Sequence, residues 1–126
     1  MENKSRVLIV EDDLITQQIL GLYLIDFDHI IVSSGEEAIK ECESGKYDII
    51  LMDIRLRTGM DGVKTFKRIK EINGYQNIPI LAITAYAMRG DREYFLEEGF
   101  EGYLAKPFLK ENLVDIINNV LKNEVM

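Results

Sequence analysis

The chain is poor in the residues that crosslink small secreted proteins or carry proteins into membranes. Its 126 residues include one cysteine, Cys42, which excludes an intramolecular disulfide and is expected to pack as a small apolar side chain. No apolar run approaches the roughly 20 residues of a membrane span, and residues 1–10 lack the long apolar segment of a signal peptide. We therefore expect a cytoplasmic protein with no membrane partner.

Positive charge is also scarce, because 15 Lys and Arg residues face 22 Asp and Glu residues and leave a formal net charge of −7. Direct binding of nucleic acid needs a basic surface for the phosphates, so nucleic acid is not expected as a direct partner. An acidic chain is suited instead to proteins or cations. The length indicates one domain over residues 1–126.

What the sequence does contain is a regular alternation of short apolar segments and helical patterns. The apolar segments, mostly rich in β-branched residues, lie at 6–10, 29–33, 48–52, 80–84 and 102–105. Such runs are typical of parallel strands covered on both faces. The alternation predicts a three-layer, doubly wound (βα)5 fold of the α/β class, in which helices cover both faces of a five-stranded parallel sheet.

Between these segments the apolar residues recur at helical spacing. The first stripe is Ile15, Ile19 and Leu22 with Leu20, Leu24 and Phe27 beside it, another is Val63, Phe66, Ile69 and Ile72, and the last is Leu109, Leu113, Ile116, Ile117, Val120 and Leu121. Ser34 followed by Glu37 indicates a capping box at a helix start, and Gly45 and Gly99 indicate helix ends.

Polar side chains stand at the carboxyl ends of the predicted strands, where ligand sites of this fold class lie. In chain order they are Glu11, Asp12, Asp13, Asp53, Thr84 and Lys106. If the first and third strands are neighbours, Asp12 and Asp53 come close, and two carboxylates about 4 Å apart repel by roughly 4 kcal/mol at an effective dielectric of 20. A proton or a cation such as Mg²⁺ relieves that repulsion. With Lys106 and Thr84, the group has the electrostatic equipment for phosphoryl transfer.

Each of these residues also has an ordinary structural explanation. An acidic triplet after a strand is favoured by the dipole of the following helix. Thr84 alone fits a strand-end hydroxyl, and Lys106 alone fits a solvated lysine. The convergence of the residues on one edge of the sheet is what favours a functional site.

Five segments together resemble the response-regulator receiver domain of two-component signalling. Within that family the chain looks like the single-domain receivers of the chemotaxis type. They are VLIVEDD at 7–13, YDIILMDIRL at 47–56, MDG at 60–62, IPILAITAYA at 78–87 and GYLAKPF at 102–108. The resemblance covers essentially the whole chain, and it implies the flavodoxin-like strand order 2-1-3-4-5. It implies a signalling receiver and not an enzyme, in which Asp53 is the phosphoacceptor, a carboxylate nucleophile that forms an acyl phosphate.

The same resemblance assigns the other positions. Glu11, Asp12, Asp53 and the backbone carbonyl of Arg55 would bind Mg²⁺, with Mn²⁺ as a possible substitute, while Asp13 has no assigned role. Thr84 and Lys106 would contact the phosphoryl group, and the Lys106–Pro107 bond would be cis. Thr84 and Tyr103 would act as the switch pair that changes the surface of the fourth helix, fifth strand and fifth helix.

The implied partners are a sensor histidine kinase or a phosphotransfer protein and an unknown downstream protein. The chain is expected to be a monomer or a dimer that forms on phosphorylation. The sole histidine, His29, opens the second predicted strand away from the acids, so the phosphodonor is expected to be another protein. A receiver excised from a hybrid kinase or a longer regulator is an alternative of the same family.

Two departures from the family pattern concern the segment after Asp53. Arg57 stands where a proline is usual, and Asp61 and Gly62 come one residue late, as in a subset with an extended loop. Loss of the proline and the presence of Gly59 predict a mobile loop over 55–60 unless Asp61 anchors it.

The bulky pair Arg55 and Tyr86 occupies two positions that tune dephosphorylation in the family. It predicts slow hydrolysis of the acyl phosphate.

Two other classes share the expected architecture. An aspartyl-phosphate hydrolase needs a second Asp two residues after the nucleophile, where this chain has Arg55. An FMN-binding flavodoxin-like protein needs a Ser- and Thr-rich phosphate loop after the first strand, where Glu11, Asp12 and Asp13 would repel a phosphate.

Overall fold

Strands and helices alternate along the part of the chain that the computed structural model describes, residues 5–56, 59–85 and 90–125. The strands are β1 (Arg6–Val10), β2 (Asp28–Val32), β3 (Ile49–Asp53), β4 (Ile80–Thr84) and β5 (Gly102–Ala105). The helices are α1 (Leu14–Tyr23), α2 (Gly35–Ser44), α3 (Gly62–Lys70), α4 (Asp91–Glu98) and α5 (Lys110–Val125).

The strands form one parallel sheet in the order β2-β1-β3-β4-β5, which confirms the predicted topology. Because β1 lies between β2 and β3, Val10 pairs with Met52, and the residues that follow these two positions meet at the carboxyl edge of the sheet. Strand order reverses at this point, which is where doubly wound folds bind their ligands.

The predicted bounds of β2 and β3 were wrong by one residue. Ser33 was assigned to β2, but its N–H donates to the Glu37 carboxylate at 2.7 Å, so it belongs to the cap of α2. Asp48 was assigned to β3, but its carboxylate accepts the Arg6 N–H at 2.7 Å in the turn before the strand. The strand runs instead to Asp53, which pairs with Ile83 of β4 and is therefore fixed by the sheet itself.

Two apolar layers cover the sheet. On one face Ile50 and Met52 pack with residues of α2, α3 and α4, among them Ala38, Phe66 and Phe95. On the other face lie the following residues of β3, α1 and α5: Ile49, Leu51, Leu20, Leu24, Leu113 and Ile117. Burial of each Leu, Ile or Phe side chain contributes about 1.5–3 kcal/mol. Cys42 is 3% exposed in the first layer, as expected for a small apolar side chain.

Side-chain caps begin three of the helices. Asp13 accepts the Thr16 N–H at the start of α1, Ser34 accepts the Glu37 N–H at the start of α2, and Asp61 accepts the Lys64 N–H at the start of α3. Ser34 makes its half of the predicted capping box, but the Glu37 carboxylate accepts the N–H of Ser33 instead of that of Ser34. Helix α2 ends at Gly45 and α4 ends at Gly99, whose φ of 111° favours glycine.

Helix α1 buries only one of its two apolar stripes. Leu20 and Leu24 are fully buried, whereas Ile15, Ile19 and Leu22 are 68%, 42% and 67% exposed. A helix that covers one face of a sheet contacts it along a single stripe. The sequence contains two stripes at helical spacing, and periodicity alone does not decide between them.

None of the helices within the described residues is both long and apolar enough to cross a bilayer.

Replacement of Gly35 by Ala is expected to destabilise the contact between α2 and α3. A Cβ at this position would overlap the Thr65 hydroxyl and lie 3.3 Å from the Met60 carbonyl oxygen. We expect Gly35→Ala to lower the free energy of unfolding by about 1–3 kcal/mol, measured by urea denaturation.

The matched control for this variant is Gly21→Ala in α1, where the nearest atom to an added Cβ is Ile31 Cδ1 at 3.8 Å. Helix propensity there favours Ala by up to about 1 kcal/mol. Equal stability of the two variants would contradict the tight packing between α2 and α3.

Candidate functional site

An acidic cavity of about 330 Å³ opens at the carboxyl edge of the sheet. Its lining residues come from the ends of β1, β3, β4 and β5 and from the start of α1: Glu11, Asp12, Asp13, Thr16, Asp53, Arg55, Ala85 and Lys106. The topology thus brings together the polar residues that the sequence places at separate strand ends.

Three carboxylates form the centre of the cavity. Glu11, Asp12 and Asp53 each direct an oxygen to a common region, and these oxygens lie within 4.8 Å of one another. Glu11 and Asp53 are only 1% and 5% exposed, so water screens their mutual repulsion poorly. The cluster therefore requires positive charge or protons.

Lys106 brings a positive charge directly against these carboxylates. Its Nζ lies 2.7 Å from Glu11 Oε1 and 3.6 Å from Asp53 Oδ2. The backbone of Lys106 follows β5, where its N–H donates to the Thr84 carbonyl at 2.8 Å, and the Lys106–Pro107 bond is cis, as the resemblance implies. The described lining of the cavity contains four acidic residues and two basic ones, Lys106 and Arg55, so its formal charge stays negative.

Burial raises the pKa of Glu11 from 4.5 to about 7. Desolvation is the largest cause, and the nearby Asp53 carboxylate adds to it. The hydrogen bonds from Lys106 and from the Asp13 N–H act in the opposite direction but do not cancel the effect. The metal-free cavity therefore relieves part of its repulsion by binding a proton at Glu11.

The Asp53 carboxylate is held from the loop that follows it. Its Oδ1 accepts the Arg55 N–H at 3.0 Å, and the Gly62 N–H returns to the Ile54 carbonyl at 3.3 Å. A Cβ on Gly62 would lie 2.5 Å from the Asp53 carbonyl oxygen, so only glycine permits this close return of the chain. The backbone around Asp53 is fixed on both sides.

Thr84 and Tyr103 occupy β4 and β5 beside the cavity. Thr84 is the last residue of β4 and is 3% exposed. The Tyr103 ring stacks on Phe95 of α4 with a centroid distance of 5.6 Å. Its hydroxyl is buried, with no hydrogen-bond partner among the described residues. The aromatic ring thus links β5 to α4 behind the site.

Some predicted features lie outside the described residues, namely Tyr86, Arg57 and the adjoining Thr58. Asp61 does cap α3, which anchors the far end of the loop that the sequence predicts to be mobile. The mobility of the segment between its two ends stays a prediction. So does slow hydrolysis, which depends on Arg55 and Tyr86 together.

Sequence reasoning left Asp13 unassigned and did not single out Gln17. Asp13 is the cap of α1, and its pairing with Thr16 three residues later was a usable signal. Gln17 Nε2 donates to the Glu11 carbonyl at 2.6 Å and to Ser33 Oγ at 3.0 Å. No local pattern reveals that contact, because it joins β1, α1 and the end of β2.

The donor set fits a hard divalent cation. Three carboxylates with oxygens within 4.8 Å of one another match the preference of Mg²⁺ for oxygen ligands. None of the described residues that line the cavity is a cysteine or a methionine, the soft ligands of proteins. Fold and site together define a doubly wound α/β domain with an acidic, lysine-containing cation site at the edge of its sheet.

Known proteins with the same arrangement are receivers. The family model described as the response regulator receiver domain matches residues 7–118. The receiver domain of the sensor histidine kinase PA1611 from Pseudomonas aeruginosa superimposes with a TM-score of 0.86 at 34% identity, covering 95% of this chain and 99% of that one. That structure has a magnesium ion coordinated in its active site cleft.

Curated relatives differ greatly in length. The chain is 31% identical over 117 residues to the polar-differentiation response regulator DivK of Brucella anthropi, covering 91% of this chain and 94% of DivK. It is 36% identical over 123 residues to hybrid signal transduction histidine kinase I of Dictyostelium discoideum, covering 90% of this chain but 7% of that kinase. The chain belongs to the response regulator receiver domain family, a signalling module of two-component systems.

The raised pKa of Glu11 predicts how stability depends on pH in the metal-free protein. Folding favours protonated Glu11, so its contribution is complete below pH 4.5 and is lost as the pH rises through about 7. In chelator, the free energy of unfolding of the parent should fall across this range relative to that of Glu11→Gln. Urea denaturation of both proteins measures the difference, and parallel pH profiles would contradict the prediction.

Proposed function

We propose that Asp53 accepts a phosphoryl group from the phosphohistidine of a sensor histidine kinase or a phosphotransfer protein. The observation that supports this assignment is the position of a buried Asp53 carboxylate 3.6 Å from Lys106 Nζ, with the oxygens of Glu11 and Asp12 beside it. A nucleophile, a fixed ammonium and a cation site are the parts that phosphoryl transfer to a carboxylate requires.

Glu11, Asp12, Asp53 and the backbone carbonyl of Arg55 are the proposed ligands of Mg²⁺. The short bond from the Arg55 N–H to Asp53 Oδ1 places the Arg55 backbone next to the carboxylates. When bound, the ion supplies positive charge that offsets the negative charge of the phosphoryl oxygens. Mn²⁺ prefers the same oxygen ligands and is the proposed substitute.

In the transfer step an oxygen of Asp53 attacks the phosphorus atom in line with the bond to the donor imidazole. The new O–P bond forms as the P–N bond breaks, and the electron pair of that bond stays on the imidazole nitrogen. Lys106 exchanges its contact with Glu11 for one with a phosphoryl oxygen, which offsets the charge that develops there. The product is an acyl phosphate on Asp53, and the chain takes part in its own modification without turning over a separate substrate.

The proposed output is a change at α4, β5 and α5. Thr84 ends β4 one residue beyond Ile83, which pairs with Asp53, and its hydroxyl is the proposed donor to a phosphoryl oxygen. Movement of Thr84 toward the phosphate frees space for the Tyr103 ring, whose hydroxyl is buried without a described partner. Because the ring stacks on Phe95, its rotation alters the surface of α4.

The exposed stripe of α1 is the proposed docking surface for the phosphodonor. It comprises Leu14, Ile15, Ile19, Leu22 and Ile25, each between 42% and 71% exposed. A groove with Ile19, Tyr23, Pro107 and Phe108 in its wall includes Lys106, which also lines the acidic cavity. An apolar helix face of a partner that packs there delivers its histidine beside Asp53.

The proposal holds for a stand-alone regulator and for a module of a longer kinase alike, because it concerns the site alone. We propose a cytoplasmic location, where kinase transmitter regions and Mg²⁺ are available. A monomer that forms a dimer after phosphorylation is the proposed oligomeric behaviour, and the downstream target is a protein that reads the α4, β5 and α5 surface.

Asp53→Asn is expected to abolish phosphorylation because the amide is a poor nucleophile. The parent incubated with Mg²⁺ and acetyl phosphate should gain the mass of one phosphoryl group in an acid-stable, base-labile adduct, and the variant should gain none. Asp28→Asn is the matched control, since Asp28 pairs with Arg6 at the opposite edge of the sheet. Labelling of Asp53→Asn to the level of the parent would refute the assignment.

Ile15→Glu should lower the rate of transfer from a phosphohistidine protein by about tenfold or more, because it places a charge in an apolar contact. Labelling by acetyl phosphate, which needs no docking surface, should not change. Leu96→Glu on α4, where the side chain is 39% exposed, is the control and should transfer as the parent does. Time courses of labelling with each donor separate a docking defect from a chemical one. An equal loss of the transfer rate in Ile15→Glu and Leu96→Glu would exclude α1 as the docking surface.

A further inference from the structure

The loop between β3 and α3 is tied to the first turn of α2 by a carboxylate. The Met60 N–H donates to Glu36 Oε2 at 3.1 Å. Glu36 lies in the first turn of α2, next to Gly35, and is far from Met60 in sequence. The contact therefore joins two separate βα units close to the reactive edge of the sheet.

Glycine at position 59 lets the carboxylate approach the loop. The φ of Gly59 is 71°, and a Cβ there would lie 2.6 Å from Glu36 Oε1 and 2.8 Å from Oε2. Gly35 also lies close to the next residue, because a Cβ added to Gly35 would come within 3.3 Å of the Met60 carbonyl oxygen. The first turn of α2 thus bonds the Met60 N–H and leaves little space beside its carbonyl.

The other end of this loop begins at Asp53. The Arg55 N–H donates to the Asp53 carboxylate, and the Gly62 N–H donates to the Ile54 carbonyl. The loop sequence contains no proline, so its own backbone does not restrict φ. Because the Gly62 N–H, two residues after Met60, bonds the Ile54 carbonyl, a restraint on Met60 acts close to the backbone of residues 54 and 55.

We propose that Glu36 is a positioning residue for the phosphoacceptor site. Its carboxylate fixes the far end of the loop and thereby keeps the Arg55 backbone aligned with Asp53 and with the cation site. This role rests on the proposed function of Asp53.

The test uses Glu36→Ala, Glu36→Gln and a matched control, Glu43→Ala. Glu43 lies on α2 seven residues after Glu36, so the control removes the same charge from the same helix about two turns away. The Gln variant keeps an oxygen that can accept the Met60 N–H and should therefore recover part of the parent behaviour.

Hydrogen–deuterium exchange of the metal-free proteins measures the hydrogen bond between the Met60 N–H and Glu36. Loss of the acceptor should speed exchange of the Met60 amide by about tenfold in Glu36→Ala, with an intermediate rate in Glu36→Gln. Titration with Mg²⁺ measures the effect on the cation site. The dissociation constant should rise by about tenfold in Glu36→Ala, which is the lower end of the loss in affinity when a residue that supports metal ligands is replaced. Glu43→Ala should match the parent in both measurements.

Equal exchange and equal Mg²⁺ affinity in Glu36→Ala and Glu43→Ala would overturn the proposal, as would faster exchange with unchanged affinity. Neither readout requires phosphorylation. If the parent fails to label with acetyl phosphate, the proposed function of Asp53 fails, while the exchange and affinity data still decide the role of Glu36.

Discussion

The repulsion among Glu11, Asp12 and Asp53 is the constraint on which the rest of the structure depends. The sheet forces these acids together, because β1 and β3 are neighbours and both end at the same edge. Lys106 offsets part of the charge, and a raised pKa at Glu11 offsets more. The remaining negative charge favours the binding of a divalent cation, which in the proposed reaction offsets the charge of the incoming phosphoryl group. The repulsion that the sheet imposes on these acids is thus what creates the cation site.

Neighbouring structure keeps that arrangement rigid. The carboxylate of Asp53 is aligned by the Arg55 N–H, and Gly62 lets α3 begin immediately against the Asp53 carbonyl. Gln17 holds the Glu11 carbonyl from α1. On the far side, Tyr103 packs on Phe95, so a local change at the phosphoacceptor has a short path to α4. Rigid support near the reactive atoms and one movable ring behind them suit a switch better than a catalyst with turnover.

Much of this was predictable from the sequence, because the signals are local. The alternation of apolar runs and helical stripes predicted a parallel sheet with helices on both faces, the resemblance implied its strand order, and the residues at strand ends predicted the members of the site. The errors lie where hydrogen bonds and packing, and not the apolar pattern, decide a boundary or a buried face. Ser33 lies outside β2 because its N–H bonds Glu37 four residues later, Asp48 precedes β3 because its carboxylate bonds the distant Arg6, and Leu20 and Leu24 are buried where Ile15 is exposed. The contact of Glu36 with Met60 has no local signature, since its two residues belong to different βα units.

The outward stripe of α1 has a consequence for how such a protein changes over generations. Its five large apolar side chains are substantially exposed, so most substitutions there cost little folding free energy. The buried sheet and its edge carry the fold and the acidic site, whereas the proposed docking surface for the phosphodonor lies on a helix face that the core does not use. Duplicated copies can therefore diverge in the signals they receive while they inherit the same reactive site unchanged.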